Sequence, residues 1–198
     1  MDVVCLDLEG VLVPEIWIEV SRKTGIKELS LTTRDISNYD VLMRRRMQIL
    51  RQYRIRLKDI QRVISSMSPL PGAKAFLDRL RCSHQTIILS DTFYEFAMPL
   101  MKKLGYPALF CNSLQADVHG YISGYRLRQK NGKQKTVQAL KKIGFRVCAA
   151  GDSYNDIAML RAADRAILFN PPDKIAKEFS AFKVARKYSE LLSFLTSA

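Results

Sequence analysis

The chain has 198 residues, 47% of them hydrophobic, enough to bury the core of one domain with a small appendage. Lysine and arginine number 32 against 19 acids, and the net charge of +13 suits an anionic partner, either a phosphorylated metabolite or a nucleic acid, although a diffuse basic surface is the commoner explanation. The four cysteines lack CxxC spacing, which argues against a zinc site or redox pair, and no segment approaches the ~20 apolar residues of a membrane span.

The first predicted strand covers residues 3–8 and ends in two acids, Asp7 and Glu9, next to Gly10. Residues i and i+2 of a strand share a face, so both carboxylates would point toward one ligand. Such a pair can hold a hard cation and still leave an oxygen free to attack phosphorus. On this segment alone, a turn that begins at Asp7 explains the residues equally well. No basic region precedes this apolar run, so we expect a cytoplasmic protein.

Helical periodicity then dominates residues 14–69, with helices predicted at 15–23, 38–53 and 57–67. Beyond this insertion, strands predicted at 86–89, 108–112, 146–150 and 166–169 alternate with helices at 72–80, 93–104, 133–143 and 154–162. Residues 115–128 alternate around His119-Gly120, which predicts an antiparallel excursion. The pattern predicts an α/β fold with a doubly wound, mainly parallel sheet. Residues 1–13 and 70–198 would form its core, and residues 14–69 a helical cap.

Polar residues follow three of the predicted strands. Asp7-Leu8-Glu9-Gly10 follows the first, Ser90-Asp91-Thr92 the second, and residues 151–156 follow the strand at 146–150. Ligands of open α/β sheets bind beyond the carboxyl ends of the strands, so three such groups favour a site over ordinary turns. A hydroxyl and a lysine would hold phosphate oxygens, with Lys130, Lys133 and Lys135 as candidates for the lysine. Lys133 follows Asn131-Gly132 at a predicted helix start, where backbone amides also favour an anion.

At these positions the chain resembles a known family. Residues 7–11, Ser90-Asp91-Thr92, Lys133 and residues 151–156 match, in order and spacing, the four motifs of the haloacid dehalogenase superfamily. The chain is most similar to its phosphoserine phosphatase branch, and within it to the bifunctional phosphoserine phosphatase/homoserine phosphotransferase type. That closer resemblance rests on residues 11–17, Thr33-Arg34-Asp35, 89–96 and 127–130. It covers nearly the whole chain and weakens after about Phe169.

The resemblance implies a role for each motif residue in a Mg²⁺-dependent hydrolysis of O-phospho-L-serine. Asp7 would be the nucleophile and a metal ligand, and Glu9 the general acid/base that also offers its backbone carbonyl to the metal. Asp152 would complete the ligands with Asp156 in support, while Ser90 and Lys133 would bind phosphate. Most phosphatases of the superfamily carry aspartate at the position of Glu9, and the extra methylene moves the carboxyl by ~1.5 Å. The homoserine phosphotransferase type shares the glutamate, so water and homoserine both stay open as acceptors.

The predicted cap offers residues that would read the rest of the substrate. Arg46 falls within an apolar helical arc, so its guanidinium points inward and needs an anionic partner, either an acid of the cap or the substrate α-carboxylate. That arc contains Leu42, Met43, Met47, Ile49, Leu50 and Tyr53. Glu15 lies at a helix start, where the macrodipole alone favours an acid. The resemblance implies that Arg46 binds substrate and that Glu15, with a one-residue offset, meets the substrate ammonium; Asp91 and Asn155 would lie beside the ligand.

Other functions are weighed against this one. A phosphatase of the same superfamily could act on another small phosphomonoester. A nucleic-acid-binding protein is less favoured: residues 43–58 hold seven basic residues and no acid, but Tyr53 is their only aromatic and no nucleic-acid motif appears. We expect no membrane partner, and a homodimer is one of the assemblies that the sequence allows.

Overall fold

The computed structural model describes residues 1–32, 35–36 and 38–197. Thr33 and Arg34, quoted above for the resemblance, lie outside the described residues. The sheet of the described chain has seven strands in the order β4-β3-β2-β1-β5-β6-β7. Their bounds are β1 Asp2–Leu6, β2 Gln85–Phe93, β3 Ala108–Ala116, β4 Ile122–Arg126, β5 Arg146–Gly151, β6 Arg165–Phe169 and β7 Lys183–Ala185. All neighbours are parallel except β3 and β4, which confirms the predicted fold class and the antiparallel excursion.

The strand β1 lies at the centre because its residues are apolar on both faces. Alternation sends Val4 and Leu6 into the core on one side of the sheet, and Val3 and Cys5 into the core on the other. Residues 3–6 of this strand pair on both sides, so that Leu6 lies opposite Ile88 of β2 and Ala150 of β5. The residue after Leu6 is therefore fixed from two sides at the carboxyl edge of the sheet.

Helices cover the sheet and fill the insertion after β1. Their bounds are α1 Ile16–Thr24, α2 Tyr39–Gln52, α3 Leu57–Ser65, α4 Ala73–Arg81, α5 Tyr94–Lys103, α6 Gly132–Lys142, α7 Ile157–Ala162, α8 Asp173–Glu178 and α9 Tyr188–Thr196. Short 3₁₀ turns span Lys27–Ser30 and Tyr154–Asp156. The first three helices occupy the stretch predicted as a cap, and the division into two domains stays a prediction.

Side chains and backbone tie α2 and α3 to the β3–β4 hairpin. The Leu57 N–H at the start of α3 donates to the Gly120 carbonyl at 2.9 Å. Arg51 of α2 forms an ion pair with Asp117 at 2.6 Å. The hairpin therefore extends the sheet to meet the helical insertion and closes one side of the space between them.

Several details differ from the sequence predictions. The helix predicted at 154–162 is a 3₁₀ turn followed by α7, and β2 continues to Phe93. The elements β7, α8 and α9 were not predicted. Tyr53 was wrongly placed on the inward arc of α2: it is 52% exposed because the helix ends at Gln52 and the chain turns away. The four cysteines are free, with Cys82 exposed, and no helix in the described ranges is long and apolar enough to cross a membrane.

Candidate active site

Asp7 lies directly beyond β1, and hydrogen bonds fix both its backbone and its side chain. Its N–H donates to the Ala150 carbonyl of β5 at 3.0 Å, and its Oδ1 accepts from the Leu8 N–H at 2.7 Å. The side chain is almost fully buried, with 3% of the residue exposed. Burial, with the neighbouring Asp156 carboxylate, raises the pKa of Asp7 well above its usual range, against the opposing effect of Lys133. The Asp7 carboxyl is therefore held by hydrogen bonds, largely buried and in need of positive charge.

Lys133 supplies part of that charge from the first turn of α6. Its Nζ lies 2.8 Å from Asp7 Oδ1 and 2.8 Å from Asp156 Oδ1, with Asp91 Oδ2 at 3.8 Å. Burial lowers the pKa of Lys133, but Asp156 and Asp7 outweigh it and raise the pKa well above the usual value. Among the three candidate lysines, Lys133 is the one whose ammonium contacts these carboxylates, and several carboxylates share it. Asn131, the N-cap of α6, adopts a left-handed backbone with φ 55° that turns the chain into the helix.

Asp156 is fully buried, and both of its oxygens have protein partners. Oδ1 accepts from Lys133, and Oδ2 accepts from the backbone N–H groups of Asp152 and Ser153 at 3.0 and 3.1 Å. These contacts orient the loop that follows β5. A Cβ at Gly151 would lie 2.4 Å from the Asp156 side chain, so the strand must end in glycine for the carboxylate to fold back. The arrangement agrees with a supporting position for Asp156 behind Asp152.

A metal ion would fit between the first and fourth motifs. Carboxylate oxygens of Asp7, Asp152 and Asp156 lie within 4.8 Å of one another. Asp152 Oδ1 is buried with no hydrogen-bond partner in the described chain, an arrangement that a bound cation would satisfy. Burial and Asp156 raise the pKa of Asp152 to about 7. Gly10, at φ 78°, leaves room for this carboxylate, since a Cβ there would lie 2.4 Å from Asp152 Cγ. The donor set is oxygen only and suits a hard divalent cation such as Mg²⁺.

The Glu9 side chain turns from the sheet toward the helical insertion. Its Oε1 accepts the first N–H of α1, that of Ile16, at 2.7 Å. Burial and the Glu15 carboxylate raise the pKa of Glu9 to about 7, against the lowering effect of the Ile16 N–H. The extra methylene relative to aspartate allows this reach, and a carboxyl that titrates near neutrality suits proton transfer.

A cavity of about 630 Å³ opens above Asp7, within the range of small-molecule sites. Seven of the residues predicted for the site line it: Asp7, Glu9, Glu15, Ser90, Asp91, Lys133 and Asn155. The Ser90 hydroxyl is buried and accepts from the Thr92 N–H at 3.2 Å, which leaves its own proton for a ligand. Glu15 is the N-cap residue of α1 and faces the same cavity. The structure thus gathers the predicted catalytic and phosphate-binding residues around one space.

Arg46 points inward as predicted, with 6% of the residue exposed, but it does not line this cavity. Its guanidinium lies over the Trp17 ring at 4.3 Å and donates to the Leu31 carbonyl at 2.7 Å. Burial lowers the pKa of Arg46 to about 10, against the raising effects of Tyr39, Glu9 and Glu15. Its Nε has no partner among the residues that the structure describes, so a donor remains for a ligand.

One contact at the site was missed from sequence. Tyr188 of α9 donates its hydroxyl to the Val11 carbonyl at 2.7 Å and stacks on Phe76 and Phe169. It therefore fixes the loop that carries Glu9 and Gly10 from 177 residues away in the chain. The only sequence feature that could have indicated this contact is the aromatic residue at the start of α9, and that helix was not predicted.

Sequence comparison places the chain among hydrolases. The model of a family described as haloacid dehalogenase-like hydrolase matches residues 1–164. A protein of Pseudomonas aeruginosa named phosphoserine phosphatase ThrH is 52% identical over 191 residues, covering 96% of this chain and 93% of that protein. A phosphoserine phosphatase of Pseudomonas syringae pathovar tomato is also 52% identical over 191 residues, covering 96% of this chain and 81% of that protein.

Solved structures agree on the fold. A phosphoserine phosphatase in apo form has a TM-score of 0.78 at 23% identity, with 97% of this chain and 98% of that chain covered. A phosphoserine phosphatase described as a phospho-aspartyl intermediate analogue has a TM-score of 0.76 at 20% identity, with 97% of each chain covered. At these identities the likeness establishes the α/β architecture.

Proposed function

This chain belongs to the haloacid dehalogenase-like hydrolase family, and we propose that it is a Mg²⁺-dependent phosphatase that hydrolyses O-phospho-L-serine through an aspartyl-phosphate on Asp7. The observation that carries the proposal is the position of Asp7: buried, bound by Lys133 and open to a cavity of metabolite size. The names of two relatives at 52% identity support phosphoserine as the substrate.

Asp7 and Glu9 would divide the chemistry between them. An Asp7 carboxylate oxygen attacks phosphorus while the bond from phosphorus to the serine oxygen breaks, and Glu9 in its acid form gives that oxygen a proton. Glu9 then accepts a proton from a water molecule that attacks the phosphorus of the aspartyl-phosphate. Inorganic phosphate leaves, and the Asp7 carboxylate is restored. The two acids face the same cavity, as this sequence of steps requires.

Ser90 and Lys133 would bind the phosphoryl oxygens from the sheet side, where negative charge develops in the transition state. Asp7, Asp152 and the Glu9 backbone carbonyl would hold Mg²⁺, which when bound offsets the repulsion between the anionic nucleophile and the phosphate. Asp156 would orient Asp152 and Lys133 through the hydrogen bonds described above.

The amino-acid part of the substrate would bind at the helical insertion. Glu15 faces the cavity at the start of α1, where it can meet the ammonium group. Arg46 is buried and does not line the cavity, but its Nε, which has no partner among the described residues, would serve the α-carboxylate once the guanidinium turns toward the cavity. A salt bridge with the α-carboxylate would offset the cost of burying the Arg46 charge.

The direct test measures phosphate released from O-phospho-L-serine with and without Mg²⁺, with the Asp7→Asn variant as the control. We expect release by the wild-type protein that needs the metal and disappears in the variant while the fold is retained. Absence of activity on all common phosphomonoesters at saturating Mg²⁺ would contradict the proposed phosphatase activity. If the protein prefers another ester, it is still a phosphatase, but phosphoserine is not its substrate.

The acceptor needs a separate experiment, because water and the hydroxyl of homoserine can open the same aspartyl-phosphate. Incubation with O-phospho-L-serine, with and without L-homoserine, should be followed by assays of inorganic phosphate and phosphohomoserine. Phosphohomoserine that forms at the expense of inorganic phosphate would establish transfer. Release of phosphate alone at high homoserine would restrict the protein to hydrolysis.

A further inference from the structure

Asp91 lines the cavity, yet the steps above give its carboxylate no chemical role. It lies near the end of β2, where pairing with β3 is regular up to Leu89, shifts, and resumes at Phe93 opposite Asn112. Such irregularities re-aim side chains and are frequent next to active sites. Ser90 and Thr92 on either side are buried, whereas the Asp91 side chain is 53% exposed and faces the cavity.

Two contacts fix Asp91 beside the phosphate-binding groups. Its Oδ2 lies 3.8 Å from Lys133 Nζ and accepts from Asn155 Nδ2 at 3.3 Å. Its backbone carbonyl accepts from Asn112 Nδ2 at 2.9 Å, so the residue is anchored at both main chain and side chain. Asp7 and Asp156 already occupy Lys133 at 2.8 Å each. Asp91 is thus a further carboxylate around an ammonium that has two closer partners.

A phosphoryl group bound by Ser90 and Lys133 would lie close to this carboxylate. The phosphate and the Asp91 carboxylate are both anions and repel each other. The partial solvent exposure of Asp91 weakens this repulsion without removing it. A ligand with a positively charged group in the cavity offsets the repulsion between its phosphate and Asp91. A phosphate ester without such a group is subject to the whole repulsion.

We propose that Asp91 is a specificity-determining residue that disfavours phosphate esters lacking a cationic group and so selects phosphorylated amines and amino acids. This inference rests on the proposed phosphatase function. Glu15 attracts the ammonium on one side of the cavity, and Asp91 penalises its absence on the other. The selectivity against uncharged esters then arises partly from repulsion, which is an effective way to discriminate between otherwise similar ligands.

The test compares two esters that differ only in the ammonium group: O-phospho-L-serine and phosphorylated 3-hydroxypropionate. In the Asp91→Asn variant, whose amide oxygen can still accept from Asn155, we expect the ratio of their kcat/KM values to fall by about tenfold, because activity on the ester without ammonium rises. Asp91→Glu should keep the ratio near that of the wild type. Asp78→Asn removes an acid of similar side-chain exposure, 50% against 53%, outside the cavity and is the matched control for net charge.

A second measurement does not depend on turnover. Inorganic phosphate carries no cationic group, so calorimetry in the presence of Mg²⁺ should show it binding about tenfold more tightly to Asp91→Asn than to the wild type. A structural role for Asp91 would instead lower kcat/KM for both esters by the same factor. That result, or unchanged phosphate affinity, would overturn the proposed role of Asp91 without contradicting the proposed phosphatase function. Absence of turnover with every ester would contradict the proposed function, and calorimetry would still decide the role of Asp91.

Discussion

Replacing Lys133 with methionine tests the electrostatic balance of the site. Lys133 is 5% exposed, and its ammonium is shared by two buried carboxylates, Asp7 and Asp156. Methionine keeps an unbranched chain of similar length, so the packing changes little while the charge is lost. Two carboxylates would then remain buried without their cation, in a protein free of divalent metal.

The expected loss is a large fraction of the stability of a small protein. Breaking a buried ion pair by removing one partner costs about 3–5 kcal/mol. Uptake of a proton by Asp7, whose pKa is already raised by burial and Asp156, limits the loss to this range even though two pairs are broken. We therefore expect Lys133→Met to lower the free energy of unfolding by about 3–5 kcal/mol at neutral pH. Mg²⁺ should restore part of it by binding the folded state.

Urea unfolding, followed by circular dichroism, measures the effect. The control is Lys135→Met, two residues along α6 on the exposed surface, which should change stability by no more than about 0.5 kcal/mol. Because Asp156 interacts directly with Lys133, the double variant Lys133→Met/Asp156→Asn should be less destabilised than the sum of the single variants. Equal losses for Lys133→Met and Lys135→Met, or strict additivity in the double variant, would show that Lys133 does not balance the two buried carboxylates.

Three further substitutions have defined outcomes. Arg46→Ala should raise KM for O-phospho-L-serine far more than for phosphoethanolamine, which lacks a carboxylate; equal effects would exclude a carboxylate contact. Tyr188→Phe leaves the buried Val11 carbonyl without its donor, so urea unfolding should show a loss of about 1–3 kcal/mol, and an unchanged stability would contradict this. Gly10→Ala should weaken Mg²⁺ binding in calorimetry by about 10- to 100-fold because its Cβ displaces Asp152. Gly25→Ala, at a similar positive φ but facing open space, should leave the affinity unchanged.

The sequence predicted the parts of the fold that depend on local pattern. The apolar runs of five strands, β1, β2, β3, β5 and β6, are long enough to be recognised in the sequence. The residues at the carboxyl ends of these strands come together because parallel strands end at one edge of the sheet. The strand β7 has only three residues, two of them exposed, and offers no recognisable apolar run. The helix α8 was missed with it, since its six residues are short for a periodic signal. The helix α9 has nine residues, as many as the predicted α4, so its length does not explain why it was missed.

The side-chain contacts of the site were predicted less completely. Lys133 was expected to bind phosphate, and its pairing with Asp7 and Asp156 follows from how β1, α6 and the loop after β5 meet in space. The inward direction of Arg46 could be worked out from helical spacing, whereas its stacking on Trp17 depends on the packing of α1 against α2. Periodicity gives the face on which a residue lies, and only the tertiary structure gives its partner.

The central claim is that Asp7 carries the phosphoryl group. The protein should be mixed with O-phospho-L-serine and Mg²⁺, quenched in acid within the first turnover and digested for mass spectrometry. We expect the peptide that contains Asp7 to gain one phosphoryl group, and the same peptide from Asp7→Asn to gain none. Turnover by the Asp7→Asn variant beyond a trace, or phosphorylation of a different residue, would contradict the account.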